Sequence, residues 1–268
     1  MKLHNWHILN VECTQDMKDI LCVYLRNKII GSMDLDNSFN IYFDDIDKDK
    51  INNIIKNKTS IDNWKWSIIK EENWVQSSKD FFKPIKINNK VNIIPPWGNP
   101  CKNSLNIIIN PALAFGTGHH ETTYMMIESI LNLDIKNKSV IDIGTGSGIL
   151  SILSYELGAK SIYSLDNDEL IENNFNENIK LNNINSNLNI HIKDCLELEH
   201  YNFDIILANI NTGIILNLIS KIKYNKQKLL LSGILQADET RVIKKLENNH
   251  FKIININRKE EWSCILAE

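Results

Sequence analysis

Hydrophobic positions in the second half of the chain form short apolar runs that alternate with segments of helical periodicity. Apolar runs predict strands, and apolar residues spaced three or four apart predict amphipathic helices. This alternation from residue 105 onwards is typical of a parallel, doubly wound α/β sheet. The last two predicted strands, 251–256 and 263–266, have no helix between them, which indicates an antiparallel hairpin. The other strands are predicted at 139–143, 161–165, 188–192, 203–208 and 228–231, and helices at 149–157, 169–181, 212–222 and 236–248.

The first seventy residues carry a smaller pattern of the same kind. Its βαββαβ-like order predicts an α+β unit of the ferredoxin type. Prolines and aromatic residues without periodicity follow it and predict an ordered linker packed against a domain face; the alternative is an aromatic-lined binding groove. We therefore predict a domain at 1–70, a linker at 71–100 and a second domain at 101–268. In the first domain, strands are predicted at 7–13, 39–43 and 64–69, and helices at 16–27 and around 51–55.

Composition and charge limit the classes of protein to which this chain can belong. Hydrophobic residues make up 43% and charged residues 24% of the chain, which is typical of a globular protein. The formal net charge of −3 provides no basic field for a nucleic-acid backbone. Five cysteines without a Cys-x-x-Cys favour a reducing compartment over disulfides or zinc. Without a signal peptide or an apolar run of about 20 residues, we expect a cytoplasmic monomer that binds neither membranes nor nucleic acid.

A glycine-rich turn at 140–148 is the main candidate for a binding site. The predicted strand ends in Gly144, Gly146 and Gly148, and a helix follows. Glycines at such a turn let the backbone approach a ligand closely, and the helix N-terminus adds free N–H groups. The next strand ends in Asp166, whose carboxylate can accept hydrogen bonds from both ribose hydroxyls. Together these features predict a nucleoside-binding crevice.

The spacing of the turn indicates which nucleoside binds. Dinucleotide folds carry G-x-G-x-x-G around a pyrophosphate, whereas this chain carries G-x-G-x-G with Asp142 two residues before the first glycine. An acid there repels a pyrophosphate but suits a cationic ligand. S-adenosyl-L-methionine carries a sulfonium and an ammonium group and no phosphate. We therefore predict this cofactor, and a dehydrogenase is disfavoured.

A second glycine-rich loop, at 110–123, also leads into a helix. Thr117 lies between two glycines, and Thr122 and Thr123 stand at the predicted helix start. Free N–H groups at that point can bind a carboxylate. The alternative is that Thr122 or Thr123 only caps the helix.

Polar residues that follow the third and fourth strands of the main domain are further candidates. Ligands bind at this edge of open α/β sheets, and Asn209 ends the fourth strand. Its amide can accept a hydrogen bond from a substrate amine and orient it towards the methyl carbon; the alternative is a loop cap. Asp194 either binds the adenine amino group or is solvated. Bulk water or His119 can take the proton of the amine, and His119 with His120 lacks the partners of a metal site.

The segment 110–123, Asn-Pro-Ala-Leu-Ala-Phe-Gly-Thr-Gly-His-His-Glu-Thr-Thr, resembles the signature of the PrmA family, the bacterial methyltransferases of large-subunit ribosomal protein eleven. The resemblance extends to 142–150, 207–211, 231–235 and 260–262. It implies a Rossmann-like class I methyltransferase sheet and a ferredoxin-like domain that recognises the ribosomal protein. It implies methyl transfer to lysine side-chain and N-terminal amines. It also implies cofactor contacts at Thr123, Gly144, Asp166 and Asn209, to which the two loops add Thr117, Asp142 and Gly146 as candidates.

The chain departs from the family pattern in places, and alternatives stay open. Thr145 replaces a frequent cysteine, Asn211 stands where many members have an apolar residue, and the first domain is short. One alternative is methylation of another protein or of a small-molecule amine, and another is a nucleoside-binding module without catalysis. Enzymes that methylate planar amides or adenine carry Asn-Pro-Pro-Tyr after strand four. This chain has Asn-Ile-Asn-Thr at 209–212, which disfavours planar substrates.

Overall fold

The computed structural model of the chain describes residues 5–13, 17, 21, 24–25, 29, 31–35, 38–43, 46–70, 83–111, 118, 120–184 and 188–268. The chain separates into two compact units, Met1–Phe81 and Phe82–Glu268. Within the described ranges, none of the helices combines the length and the apolar surface that a membrane crossing requires.

The first unit contains a four-stranded antiparallel sheet. Its strands are β1 (Asn5–Val11), β2 (Gly31–Leu35), β3 (Ser38–Phe43) and β4 (Trp64–Lys70), and helix α1 spans Lys48–Lys58. The strand order is β2-β3-β1-β4, so β3 is inserted between β1 and β2. This is the split β-α-β arrangement of a ferredoxin-like unit, and it confirms that prediction. Of the helix predicted at 16–27, residues 17, 21, 24 and 25 are helical and the others lie outside the described residues.

The core of this unit follows from alternation along its strands. In β3, Phe39, Ile41 and Phe43 are buried and the residues between them are not. They share one hydrophobic cluster with Ile51 and Ile55, which lie four positions apart on α1. Strand β2 escaped prediction because Gly-Ser-Met-Asp-Leu has weak strand propensity, and pairing with β3 forms it.

A small three-stranded sheet opens the second unit. Its strands are β5 (Ile85–Ile87), β6 (Val91–Ile94) and β7 (Leu105–Ile108), in the order β5-β6-β7. The sequence pattern predicted a linker without strands over residues 71–100, whereas two of these strands lie within that range. All four residues of β6 are buried, so the polar–apolar alternation that signals a half-exposed strand is absent there.

The main sheet of the second unit has seven strands in the order β10-β9-β8-β11-β12-β14-β13. Strand β14 is antiparallel to both neighbours, and the remaining pairs are parallel, which confirms the doubly wound prediction and its terminal hairpin. The strands are β8 (Ser139–Ile143), β9 (Ser161–Asp166), β10 (Ile190–Ile192), β11 (Ile205–Asn209), β12 (Lys228–Leu235), β13 (Ile253–Lys259) and β14 (Trp262–Ala267). The helices are α2 (Glu121–Ile130), α3 (Ile149–Glu156), α4 (Glu172–Leu181), α5 (Thr212–Lys221) and α6 (Gln236–Asn248).

This strand order brings the candidate residues together. Strand β8 lies between β9 and β11, and all three run in the same direction. Their carboxyl ends therefore meet at one edge of the sheet, where Gly144, Asp166 and Asn209 follow or end the strands. Ile141 and Leu207 are fully buried in β8 and β11, and burial of each such side chain stabilises the folded sheet by about 1.5–3 kcal/mol.

Candidate functional site

The glycine turn after β8 is shaped by backbone geometry that favours glycine. Gly144, Gly146 and Gly148 have φ angles of 70°, 50° and 82°, a region that side chains disfavour. The amides of Gly144 and Thr145 donate to the Leu165 carbonyl at 2.8 and 3.0 Å, which ties the turn to β9. The turn thus brings its backbone to the sheet edge at which α/β folds bind ligands.

Asp142 lies beneath this turn. Its side chain is fully buried, and its Oδ2 accepts hydrogen bonds from Thr145 Oγ1 at 2.6 Å and Ser151 Oγ at 2.7 Å. Its Oδ1 has no hydrogen-bond partner among the described residues. Burial raises the pKa of Asp142 to about 6 against these hydrogen bonds, and the charge of Asp166 adds to the rise. Asp142 therefore holds the turn through these hydrogen bonds from the protein interior. It does not reach the crevice surface, so it influences a ligand there only through its electrostatic field.

Asp166 closes the other side of the turn. Its Oδ2 accepts from the Gly146 amide at 3.0 Å, and its Oδ1 accepts from the Asp168 amide at 3.1 Å. An ionised carboxylate offers about four acceptor positions, so each oxygen keeps capacity for one hydroxyl group. These remaining acceptor positions fit the two hydroxyl groups of a ribose.

A crevice opens between these loops, lined by Gly144, Asp166, Asp194 and Ile210 with apolar neighbours such as Leu196. Asp194 caps the short turn after β10 by accepting from the Leu196 amide at 2.8 Å, and it is exposed. Apolar walls with a few polar groups at fixed positions are typical of a small-molecule site.

Asn209, at the end of β11, contacts the start of helix α2. Its Nδ2 donates to Thr123 Oγ1 at 3.2 Å, and Thr123 is buried. The helix α5 cap belongs to Asn211, whose Oδ1 accepts from the Ile214 amide at 3.0 Å. Asn211, and not Asn209, therefore has the capping role that was the alternative for Asn209. Because Nδ2 of Asn209 donates to Thr123, the side-chain oxygen Oδ1 remains as the acceptor of this amide.

The residue that caps helix α2 is neither Thr122 nor Thr123, the two candidates from the sequence. His120 is the N-cap residue, and its Nδ1 accepts from the Thr122 amide at 3.3 Å. Thr123 bonds to Asn209 instead. Thr117 and His119 lie outside the described residues. No group of three or more metal-ligating side chains occurs in the described part of the chain.

A second cavity adjoins the crevice. His120, Asn209, Asp238 and Trp262 line it, and the rings of His120 and Trp262 meet edge to face with centroids 5.2 Å apart. Ile210 lines both the crevice and this cavity. Ile210 is thus common to the walls of two spaces at the carboxyl edge of the sheet.

Two glycines make room for Ile210. A Cβ atom on Gly144 would lie 2.3 Å from Ile210 Cγ2, and a Cβ atom on Gly233 would lie 2.2 Å from the Ile210 carbonyl oxygen. Gly233 has a φ of 81° and lies where the pairing of β12 with β14 shifts register. Sequence reasoning missed this arrangement because the three residues are far apart in the chain.

Asn178 of helix α4 connects the two glycine-rich loops and was also missed. Its Nδ2 donates to the Ser147 carbonyl and its Oδ1 accepts from the Asn110 amide, both at 2.8 Å. The side chain is fully buried. Its position on the apolar face of a predicted helix was the available signal, and the abundance of asparagine throughout the chain concealed it.

Comparison of the chain with known protein families identifies the family to which it belongs. The family described as "Ribosomal protein L11 methyltransferase (PrmA)" matches residues 10–268. The chain belongs to the ribosomal protein L11 methyltransferase family. This confirms the resemblance inferred from the two glycine-rich loops.

Relatives in this ribosomal protein L11 methyltransferase family cover most of the chain. The protein of that name from Prochlorococcus marinus MIT 9215 is 33% identical over all of this chain and 96% of its own length. The one from Clostridium perfringens SM101 is 36% identical over 74% of this chain and 64% of its own. A crystal structure of ribosomal protein L11 methylase from Lactobacillus delbrueckii subsp. bulgaricus is 30% identical, with a TM-score of 0.63 over 70% of this chain and 98% of that chain.

Proposed function

We propose that this protein transfers methyl groups from S-adenosyl-L-methionine to ribosomal protein L11, and that the acceptors are lysine side-chain amines and the N-terminal amine. The observation that carries the proposal is the pair of adjoining cavities that share Ile210. One has the groups that suit a nucleoside, and the other has the groups that suit an amine side chain. A transferase needs both spaces to meet.

Residues in and next to the crevice have separate roles in binding the cofactor. Asp166 takes the ribose hydroxyls, and Gly144 and Gly146 let the backbone approach the ligand. Thr123 and Asn209, on the side of the second cavity, border its reactive end. When bound, S-adenosyl-L-methionine supplies an electrophilic methyl group. The protein contributes alignment and exclusion of water, which are the main requirements of a direct displacement.

The second cavity receives the amine. Asp238 attracts the protonated lysine, and the face of Trp262 packs against its methylene groups and favours a cation. Asn209 Oδ1 accepts a hydrogen bond from the amine and so directs its lone pair towards the crevice. Because only the uncharged amine has a lone pair for attack, a proton must leave before transfer.

Thr122 engages His120: His120 Nδ1 accepts from the Thr122 amide at 3.3 Å and lies 2.8 Å from Thr122 Oγ1. We assign the proton to solvent at the open side of the cavity. His120 then serves as the helix cap and as one wall of the cavity.

The first unit is assigned to substrate recognition, with the division proposed as 1–70 for recognition, 71–100 for the linker and 101–268 for transfer. The described residues that line the crevice and the second cavity belong to the second unit. The first unit has its own sheet and core, and a role in presenting the ribosomal protein accounts for its presence.

Amine specificity is tested with two preparations of ribosomal protein L11. One is unmodified, and the other has its lysine and N-terminal amines acetylated. We expect the full-length protein to methylate only the unmodified preparation, at lysine and N-terminal positions identified by peptide mass spectrometry. Equal methylation of both preparations would contradict amine specificity, and methylation elsewhere would identify another acceptor.

A further inference from the structure

Three residues from three elements form a polar cluster beside the second cavity. Glu239, in the first turn of helix α6, accepts from Arg258 Nε at 2.7 Å and Nη2 at 2.6 Å. Its Oε2 also accepts from Ser263 Oγ at 2.7 Å. Glu239 is 9% exposed and Ser263 is fully buried. The hydrogen bonds from Arg258, and then from Ser263, hold the pKa of Glu239 below its usual value.

The same helical turn also holds the tip of the β13–β14 hairpin. The Gln236 amide donates to the Glu261 carbonyl at 2.8 Å, and Gln236 Nε2 donates to the Glu260 carbonyl at 2.7 Å. Helix α6 therefore binds the hairpin on both sides of its turn. A bidentate arginine–carboxylate pair has fixed geometry, so the cluster sets the orientation of the hairpin as well as its distance.

Trp262 lies at the centre of these contacts. It follows Glu261, whose carbonyl is held by Gln236, and precedes Ser263, whose hydroxyl is held by Glu239. From this fixed backbone its ring reaches the ring of His120 and lines the second cavity. Arg258 and Ser263 do not line that cavity in the described structure; they act on the residue that does.

We infer that the Glu239–Arg258–Ser263 cluster positions Trp262 for binding of the methyl acceptor. Glu239 is thus a positioning residue that acts through Trp262. The inference rests on the proposed function, because it assigns the second cavity to the acceptor amine. A cluster that only supported the fold would affect the cofactor crevice and the acceptor cavity alike.

A double-mutant cycle on the full-length protein tests this coupling. The variants are Glu239→Gln, Trp262→Phe and the two combined, with Glu247→Gln as the control. Glu247 lies on the same helix and is exposed. Each variant is measured for kcat and KM with ribosomal protein L11, for binding of S-adenosylhomocysteine, and for thermal stability.

We expect Glu239→Gln to lower kcat/KM for ribosomal protein L11 about tenfold, while binding of S-adenosylhomocysteine stays within about twofold. The double variant should be no more than about twofold worse than the more impaired single variant, because residues that act as a unit are not additive. Glu247→Gln should match the unchanged protein. Losses that multiply in the double variant, or an unaffected Glu239→Gln, would overturn the inference. A parallel loss of S-adenosylhomocysteine binding would also overturn it, since that indicates general damage.

A spectroscopic measurement reports on Trp262 without activity. The chain has six tryptophans, and in protein labelled with 5-fluorotryptophan the fluorine resonance missing from Trp262→Phe belongs to Trp262. This resonance should shift or broaden in Glu239→Gln and stay in place in Glu247→Gln. An unmoved resonance in Glu239→Gln would overturn the inference even where methylation falls. Failure of the unchanged protein to methylate ribosomal protein L11 would instead overturn the proposed function, and this inference with it.

Discussion

Asn209 Nδ2 donates a hydrogen bond to Thr123 Oγ1 at 3.2 Å, although the two residues are 86 positions apart in the chain. The contact joins the end of β11 to the first turn of helix α2. It fixes which way the Asn209 amide faces and leaves Oδ1 as its remaining acceptor, which we propose binds the substrate amine. This pair links the predicted cofactor site to the predicted site of transfer.

Replacing Asn209 should act mainly on the chemical step. We expect Asn209→Ala to lower kcat by about 10- to 100-fold and to weaken S-adenosylhomocysteine binding much less, because a lost alignment contact acts chiefly in the transition state. Thr123→Val should give a smaller loss of kcat, since the amide remains but loses its orienting contact. Single-turnover methyl transfer measures both effects.

Asn249→Ala is the matched control for Asn209→Ala. Asn249 follows helix α6, where its Nδ2 donates to the Lys245 carbonyl, and it lies at the sheet edge opposite the crevice. We expect this variant to lose thermal stability and keep kcat. The same result for Asn209→Ala would make Asn209 a structural residue.

Replacing Asp166 should weaken cofactor binding. Asp166→Ala removes the acceptors that we propose for the ribose hydroxyls and the one for the Gly146 amide, and losing hydrogen bonds to a charged group costs about 1–3 kcal/mol. Isothermal calorimetry with S-adenosylhomocysteine measures the change. Asp168→Asn, two residues away and exposed, should bind normally. An unchanged dissociation constant in folded Asp166→Ala would exclude Asp166 from the ribose site.

Asp142 should make stability depend on pH. Raising its pKa from 3.8 to about 6 corresponds to a cost of about 3 kcal/mol for the ionised form. Because the native state binds this proton more tightly than the unfolded state, the cost is full above pH 6 and declines as the pH falls towards 4. Relative to Asp142→Asn, the unchanged protein should gain about 1 kcal/mol between about pH 8 and about pH 5.

Urea unfolding across this range measures the difference, with Asp204→Asn as the control. Hydrogen bonds from Ser139 lower the pKa of Asp204, so its contribution is lost only below the pH range of the experiment. The difference between Asp204→Asn and the unchanged protein should therefore be constant between about pH 8 and about pH 5. A constant difference for Asp142→Asn as well would show that the Asp142 carboxyl titrates normally.

Sequence patterns predicted those helices and strands whose apolar periodicity and ends can be recognised from their own residues. Helix α6 was predicted at 236–248 and spans Gln236–Asn248, because its apolar positions and its ends are all visible along the sequence. Strand β2 was missed because it forms by pairing with β3. The fully buried β6 was missed because it has no alternation to detect.

The candidate site likewise contains some features that the sequence predicted and others that it did not. Gly144, Asp166 and Asn209 were predicted because strand ends of a parallel sheet meet at one edge. The approach of Ile210 to Gly233 and the Glu239–Arg258 pair were not predicted, since those partners meet only after the sheet is assembled. His120 replaced the threonines as helix cap because its ring reaches the Thr122 amide while Thr123 bonds to Asn209.

Removing the first unit should separate recognition from cofactor binding. We expect a chain without residues 1–70 to bind S-adenosylhomocysteine as before and to lose methylation of intact ribosomal protein L11. The reason is that the described residues that line the crevice and the second cavity lie downstream of residue 70. Calorimetry and methylation rates are compared with those of the full chain. A truncated protein that methylates intact ribosomal protein L11 at the full rate would contradict a recognition role.

The most direct measurement of the central claim is transfer of labelled methyl groups from S-adenosyl-L-methionine to purified ribosomal protein L11 by the unchanged protein. We expect the label to enter ribosomal protein L11 with time, S-adenosylhomocysteine to inhibit the transfer, and Asn209→Ala to slow it. Binding of S-adenosylhomocysteine without any transfer of label would contradict the proposed methyltransferase function. The adjoining cavities would then belong to a nucleoside-binding module without catalysis.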